Sequence, residues 1–368
     1  MRPLLISIAV LSSSLAINLE AKTQSYQCPD GRVVETKVKG SREQRKKTAN
    51  LQINEVKQQF SELPGWLDKP EPESLLQVIE SNCKTSKLPK GWAKVCQESE
   101  GLNSGNVYDY IENNFVPYQL VVDTKSARND KGKFTSYYAS YVNVSKNKTD
   151  KYQHPIYKFS KKAKTLSRKQ IEAGGLAESE ALFWSDNAFD NFVLHVQGSG
   201  VGKLPDGSKV KVLYAGKNKE NYISLGKVLR ECGEIPPAKI SLPSIRAWVD
   251  AAKPIEYQRL IGNNQSYVFF RDEAYNQEAP LGALGVPLTT MRSLAVDTRY
   301  IPLGTMAYVA VPHPLNDSKI EQVFIAQDKG GAINGGIRAD IFAGEGEQAG
   351  EFAGRMAHKG KFWLIKPK

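Results

Sequence analysis

The residues in this chain with most to offer chemically are three aspartates placed at the ends of apolar runs. Val323-Phe324-Ile325-Ala326 reads as a buried strand that delivers Asp328 to a Gly-rich turn. A second short strand, Ile337 to Phe342, carries Asp340, and upstream the run Leu294-Ala295-Val296 ends in Asp297. Gly330, Gly331, Gly335 and Gly336 separate the first two carboxylates, and bare backbone there lets a bulky ligand come close. Three acids converging on one site would be unusual for mere solvation, and carboxylates gathered in this way suit general acid–base work. The competing reading of an Asp in a Gly-rich turn is a backbone cap, its side chain accepting from nearby N–H groups. On position alone that reading fits Asp297 better than Asp328.

The order of these segments resembles a known family. AVDTRYIPLGT, then AQDKGG, then RADIF is similar to the 3D domain, a double-psi β-barrel named for its three aspartates. From about Glu73 onward the chain resembles the membrane-bound lytic transglycosylase A (MltA) family of bacterial cell-wall enzymes. Thr135-Ser136-Tyr137-Tyr138 stands where that family has TGYY, and VQGSG from Val196, LPDGS from Leu204, YAGKN from Tyr214, SYVFF from Ser266 and LGALGVPLT from Leu281 follow in order. Each motif is weak alone, and their order carries the resemblance. Ala139-Ser140 departs from the acidic or polar residue and Pro that the family has after its paired Tyr.

The resemblance implies that Asp340 is the catalytic acid/base and Asp328 a supporting acid whose charge would raise the pKa of its neighbour. Thr135, Tyr137, Tyr138, Gln197, Ser199, Gly330, Gly331 and Asp297 are then expected to line the substrate site. If Tyr137 and Tyr138 alternate along a strand, only one of them faces it. The implied reaction is the lytic exotransglycosylase one on peptidoglycan, with exo or endo preference left open. The 6-hydroxyl of N-acetylmuramic acid (MurNAc) attacks its own C1, breaks the β-1,4 bond to N-acetylglucosamine (GlcNAc) and closes a 1,6-anhydro ring. One carboxyl group then suffices, because the nucleophile belongs to the substrate. Two other classes remain: a two-carboxylate glycoside hydrolase on a related barrel, and a non-catalytic wall-binding protein of expansin type. No metal or cofactor is expected, since the four His residues form no zinc-type spacing with the four Cys.

The elements that must position these residues follow from the rest of the chain, whose 368 residues suit two domains. Residues 1–21 read as a secretory signal, with Arg2, an apolar core and a small-residue end at Ala21. No lipobox Cys follows, so a soluble periplasmic protein is expected, with outer-membrane association as the alternative. Residues 22–60 are basic around Arg42-Glu43-Gln44-Arg45-Lys46-Lys47 and read as a solvated helix or linker, with a tether to an anionic surface as the other reading. Helical spacing marks Leu75, Leu76, Val78 and Ile79, and then Val107, Tyr110 and Ile111.

Strand character takes over from Tyr118 and again from Leu182 to Gln197, with a short helix from Leu166 to Ala177 between and a helix from Ser241 to Ala252 after. The fold expected is mainly β with flanking helices. Residues 61–138 and 234–368 form a discontinuous domain holding the barrel, with the barrel itself from about Tyr267, and residues 139–233 form an inserted β domain. The groove between them is the natural place for a glycan. Four Cys in an exported chain allow three full pairings, and Cys83 with Cys96 is the first choice, leaving Cys28 and Cys232 either paired or free. The net charge of +11 points to anionic surroundings, and peptidoglycan is preferred over nucleic acid because no helix-turn-helix or aromatic basic stripe is present. A monomer working beside wall-synthesis or division proteins is expected.

Overall fold

The computed structural model describes residues 23–37, 53–123 and 128–368. The expected signal and the basic run from Arg42 to Lys47 lie outside the described residues.

In chain order, the hairpin β1 (Thr23–Gln27) and β2 (Val33–Lys37) is followed by β3 (Ile53–Lys57). Helices α1 (Pro72–Cys83), α2 (Trp92–Glu98) and α3 (Val107–Asn114) lead to β4 (Phe115–Asp123). After the short β5 (Arg128–Asn129) comes β6 (Gly132–Ser145), then β7 (His154–Tyr157), β8 (Ala181–Ser185), α4 (Ala188–Gln197), β9 (Gly200–Lys203) and β10 (Lys209–Lys217). Three helices, α5 (Leu225–Glu231), α6 (Leu242–Ala251) and α7 (Pro254–Gly262), precede β11 (Val268–Ala274) and β12 (Ser293–Val296). The chain ends with β13 (Met306–Pro312), β14 (Lys319–Lys329), β15 (Arg338–Glu345), α8 (Gly346–Arg355) and β16 (Ala357–Pro367).

Six strands close into a barrel in the order β6-β15-β12-β14-β13-β16, with β16 returning to β6. The β6–β15 and β12–β14 pairs are parallel and the others antiparallel. Side chains alternate inward and outward, as closure requires. Phe134, Leu294, Val296, Phe324, Ala326, Ile341 and Phe362 fill the inside. Val323 and Ile325 point outward but are covered by α1, α2 and α3, together with Trp66 and Trp92. Burial on both faces is why this strand reads as an unbroken apolar run rather than an alternating one.

The helical layer is fastened through Arg292, which is fully buried. Its guanidinium donates to the Val323 carbonyl at 2.7 Å, to the Pro70 and Glu71 carbonyls at 2.8 and 2.7 Å, and to Ser74 Oγ at 2.9 Å. Such a fork satisfies four acceptors that would otherwise be stranded away from water.

β6 is 14 residues long and runs on past the barrel into a second sheet, ordered β11-β10-β9-β6. Three sequence expectations change here. β11 was expected in the barrel region but pairs antiparallel with β10, and its alternating Phe269 and Phe270 fill two neighbouring cores of the second sheet. The strand expected from Leu182 to Gln197 stops at Ser185, because Asn187 caps a helix by accepting from the Phe189 and Asp190 N–H groups. The described parts of 22–60 include a hairpin and a strand rather than a solvated helix. Tyr26 and Cys28 sink against α5 and α7, and two apolar contacts outweigh the charged surroundings that dominate the local sequence.

Both cysteine pairs are disulfides: Cys83–Cys96, and Cys28–Cys232 across 204 residues. The second staples the hairpin to the end of α5, helped by Asn263, whose amide meets both the N–H and the carbonyl of Gln27 at 2.8 Å. Removing it with the pair Cys28→Ser and Cys232→Ser is expected to free residues 23–37 to protease while the barrel stays resistant. Mass mapping of a limited digest reads this, and simultaneous loss of the barrel would show that the hairpin is integral to the fold. Removing Cys83–Cys96, whose closed loop is short, is expected to cost about 3 kcal/mol in urea unfolding.

Candidate active site

Parallel pairing of β6 with β15 sets Thr135 opposite Asp340. Thr135 Oγ1 donates to Asp340 Oδ1 at 2.5 Å, and Arg338 Nη2 donates to the same hydroxyl at 2.7 Å. Because the guanidinium has no acceptor, it fixes the hydroxyl as donor toward the carboxylate. Asp340 Oδ2 is left without a hydrogen bond from the described residues. Arg338 sits two residues before Asp340 on the same strand face, and period-two spacing is the signal by which the sequence could have marked it.

Asp328 reaches the same cluster through a bulge. In the β12–β14 register Leu294 faces Ala326 but Ala295 faces Asp328, which leaves Gln327 as the extra residue. A bulge of this kind re-aims the next side chain. Gln327 goes into the barrel wall against Ser293, and Asp328 turns toward β6. There its Oδ2 accepts from the Tyr137 hydroxyl at 3.0 Å and its Oδ1 from the Ala283 N–H at 2.9 Å. The Ala283 backbone is a contact that side-chain reasoning could not find, although it falls in LGALGVPLT.

The paired tyrosines divide as alternation requires. Tyr137 rests its ring on Phe342, centroids 5.3 Å apart, and faces the acids. Tyr138 turns to the other face of β6, among Phe189, Phe192 and Leu225. Gln197, the last residue of α4, accepts from the Tyr138 N–H at 3.1 Å, and Ser199 Oγ accepts from the Tyr214 N–H at 3.2 Å. Gly198, at φ 84°, ends the helix and turns the chain into β9. Gln197 and Ser199 line a cleft with Tyr137, Leu281, Asp328 and Phe342, so it lies where the barrel meets the second sheet.

Asp297 stands apart. Its carboxylate is forked onto Arg299 at 2.8 and 2.5 Å and accepts from the Gly335 N–H at 2.8 Å. It therefore pins the Gly-rich loop to the end of β12, as a cap would. Gly330 and Gly331 lie exposed in that loop; a Cβ at Gly331 would meet nothing within 4 Å, whereas one at Gly330 would press on Ile333. Their backbone is open to a ligand, but no described contact ties them to the acids.

Burial is the main force raising the pKa of Asp340. The Thr135 bond and the Arg338 charge pull it down, and the Asp328 charge adds a smaller upward push. Desolvation is thus the larger upward cause at Asp340 and the Asp328 charge the smaller. Asp328 is itself raised by burial, against the N–H groups of Lys329 and Ala283 and the Tyr137 hydroxyl. At Asp297 burial also pushes upward, but Arg299 and the Gly335 N–H outweigh it and hold the group below the usual range. The site therefore holds two carboxyl groups inclined to keep a proton beside one that stays ionised. Among the described residues, no group of three or more His, Cys, Asp or Glu is placed to hold a metal.

Known proteins resemble this chain in sequence and in fold. Residues 133–271 match the MltA specific insert domain and residues 292–366 match the 3D domain. The membrane-bound lytic murein transglycosylase A of Escherichia coli K12 is 37% identical over 241 residues, 63% of this chain and 65% of that protein, so the chain spans about two thirds of its length. The solved structure of the lytic transglycosylase LtgG of Burkholderia pseudomallei is 32% identical, with a TM-score of 0.62 over 86% of this chain and 97% of that one. The structure of E. coli MltA with bound chitohexaose is 29% identical, with a TM-score of 0.69 over 80% and 90% of the two chains. With the insert and 3D domains both present and a 32%-identical relative covered over nearly its full length, the chain belongs to the MltA family.

Proposed function

We propose that this protein is a lytic transglycosylase that cleaves the MurNAc–GlcNAc β-1,4 bond of peptidoglycan and leaves 1,6-anhydro-MurNAc ends, with Asp340 as the single acid/base. The observation that carries the reading is the chain Arg338 to Thr135 to Asp340 Oδ1, which leaves Oδ2 of a half-buried carboxyl group as the free oxygen. Protonated Oδ2 gives its proton to the glycosidic oxygen as the bond from C1 breaks. The resulting carboxylate takes the proton from the 6-hydroxyl as O6 bonds to C1. Atoms balance without water, and Asp340 is protonated again. The cleft between barrel and second sheet has the place and lining for a sugar chain, and the chitohexaose bound by the E. coli relative supports the substrate class.

Asp328 and Tyr137 act here as a hydrogen-bonded pair that keeps the cleft floor polar. The two disulfides support an oxidising compartment outside the cytoplasm, and no helix among the described residues is long and apolar enough to cross a membrane. We place the protein in the cell envelope, facing the wall.

Mass analysis of muropeptides released from purified sacculi tests the reaction: products lighter by one water than hydrolytic ones are expected, and free reducing ends would select the hydrolase reading. Asp340→Asn keeps the shape but cannot cycle a proton, so turnover is expected to fall by about a hundredfold or more with glycan binding retained. The same variant should melt above the wild type at neutral pH. A carboxyl group whose folded pKa is raised stabilises fully below its unfolded value near 3.8, and that advantage is lost as pH climbs through the folded value. The gap in Tm should therefore open with rising pH. Asp328→Asn removes a like charge, so the alkaline limb of the rate profile is expected to move to lower pH with a milder loss of rate. Movement to higher pH would contradict the assignment.

A further inference from the structure

The face of β6 that carries Thr135 and Tyr137 continues through Ala139 to Tyr141, and β9 runs beside it with Tyr141 paired to Val201. Ser199 in the cleft thus leads, by alternate residues on one face, through Val201 to Lys203. On β15 the register slips between Phe342 and Glu345, where Gly344 takes φ 102°, and this bulge brings Glu345 opposite Ala139.

At the far end of this face lies a cluster the reaction does not use. Lys203 Nζ sits 4.2 Å from the Tyr141 ring centroid, and Lys209 Nζ sits 4.9 Å from the rings of both Tyr141 and Tyr275. Glu345 accepts from the hydroxyls of Tyr141 at 3.1 Å and Tyr275 at 2.6 Å, which fixes both rings under the ammonium groups. Lys211 follows two residues along β10 on the same face but is buried, so Lys203 and Lys209 are the two that face outward. No described carboxylate lies within 4 Å of any of these three lysines, whereas Arg271 nearby is paired with Glu273 at 3.0 Å. Glu345 engages the tyrosine hydroxyls, to one of which Lys209 Nζ also donates at 3.4 Å, and ammonium groups held over aromatic faces without a direct ion pair are arranged for an outside anion. With its ring already covered by two cations, Tyr141 offers charge rather than a bare surface for a sugar.

We propose that the Lys203–Lys209–Tyr141 cluster binds the carboxylates of the peptide stem attached to the MurNAc residue being cleaved. This rests on the transglycosylase reading, which puts that sugar beside Asp340. Four residues of strand from Tyr137 to Tyr141 span about 13 Å. An extended stem of four residues reaches about 13–14 Å, so its acidic end arrives at the lysines when its sugar is at the acids. The stem carries free carboxylates at its glutamate and at its end, matching the two ammonium groups in charge.

The test compares stem-bearing glycan strands with the same strands stripped of stems by an amidase. The wild type is expected to show kcat/KM about three- to tenfold higher on stem-bearing strands, as two partly exposed ion pairs can supply. Lys203→Gln with Lys209→Gln should abolish that preference while the stem-free rate moves less than twofold, and Lys203→Arg with Lys209→Arg should restore it. Raising salt from roughly 20 to 500 mM should have the effect of the Gln pair, since charge carries the preference. Equal losses on both strands, or no preference in the wild type, would overturn the proposal. If neither strand is cleaved, the transglycosylase reading fails by itself. Co-sedimentation of the same two strands with Asp340→Asn and with its Lys203→Gln, Lys209→Gln derivative then decides the stem site, and equal retention of both strands sinks it.

Discussion

The structure depends on one strand serving two sheets. β6 closes the barrel with β15 and β16 over its first half and pairs with β9 over its second, so its single side-chain alternation must satisfy three cores and a groove. Phe134 enters the barrel, Tyr138 goes under the α4–α5 layer, and Val142 and Val144 enter the core of the second sheet. The intervening Thr135, Tyr137 and Tyr141 are left along the groove. A slip of one residue would exchange the two sets and bury hydroxyls where phenyl and aliphatic groups now lie. Gly132 guards the starting point: a Cβ there would come within 1.6 Å of the Ile337 carbonyl oxygen, so the approach of β6 to the end of the Gly-rich loop needs bare backbone.

Given that strand, the position of the acids is a consequence of register. Asp340 is opposite Thr135 because β15 is parallel to β6, and Asp328 is beside Tyr137 because a bulge at Gln327 turns it there. Asp340 is hydrogen-bonded on one oxygen and Asp328 on both, and desolvation leaves each carboxyl group held in place but reluctant to ionise. Away from the acids, Arg292 is fully engaged, and its four bonds tie the helical layer to β14. A rigid outer layer, a closed barrel and a strand that crosses the boundary together hold the cleft in one shape.

The positive charge of the chain takes on meaning only once it is placed. Lys203 and Lys209 occupy one face of the second sheet in line with the cleft, whereas Arg299 is taken up by Asp297 and Arg338 by Thr135. Dispersed basic residues would give a general attraction to an anionic polymer. Aligned ones give a direction along which such a polymer would lie.

By itself the sequence determined much about this protein. The ordered motifs AVDTRYIPLGT, AQDKGG and RADIF identify the barrel segments, because apolar runs ending in Asp and Gly are short-range patterns written into neighbouring residues. The division of Tyr137 from Tyr138 followed from period-two alternation, and the link between Cys83 and Cys96 from closeness in the chain. What only tertiary structure decided are relations between distant residues. The pairing of Cys28 with Cys232, the docking of the hairpin, the passage of β11 to the second sheet and the turn from strand to helix at Asn187 depend on partners far away or on a single cap. Asp297 proved to be a loop clamp because Gly335 and Arg299 take up its oxygens. Arg338 gained its part through Thr135, a residue 203 positions away, and spacing along one strand carries no information about what the neighbouring strand will bring.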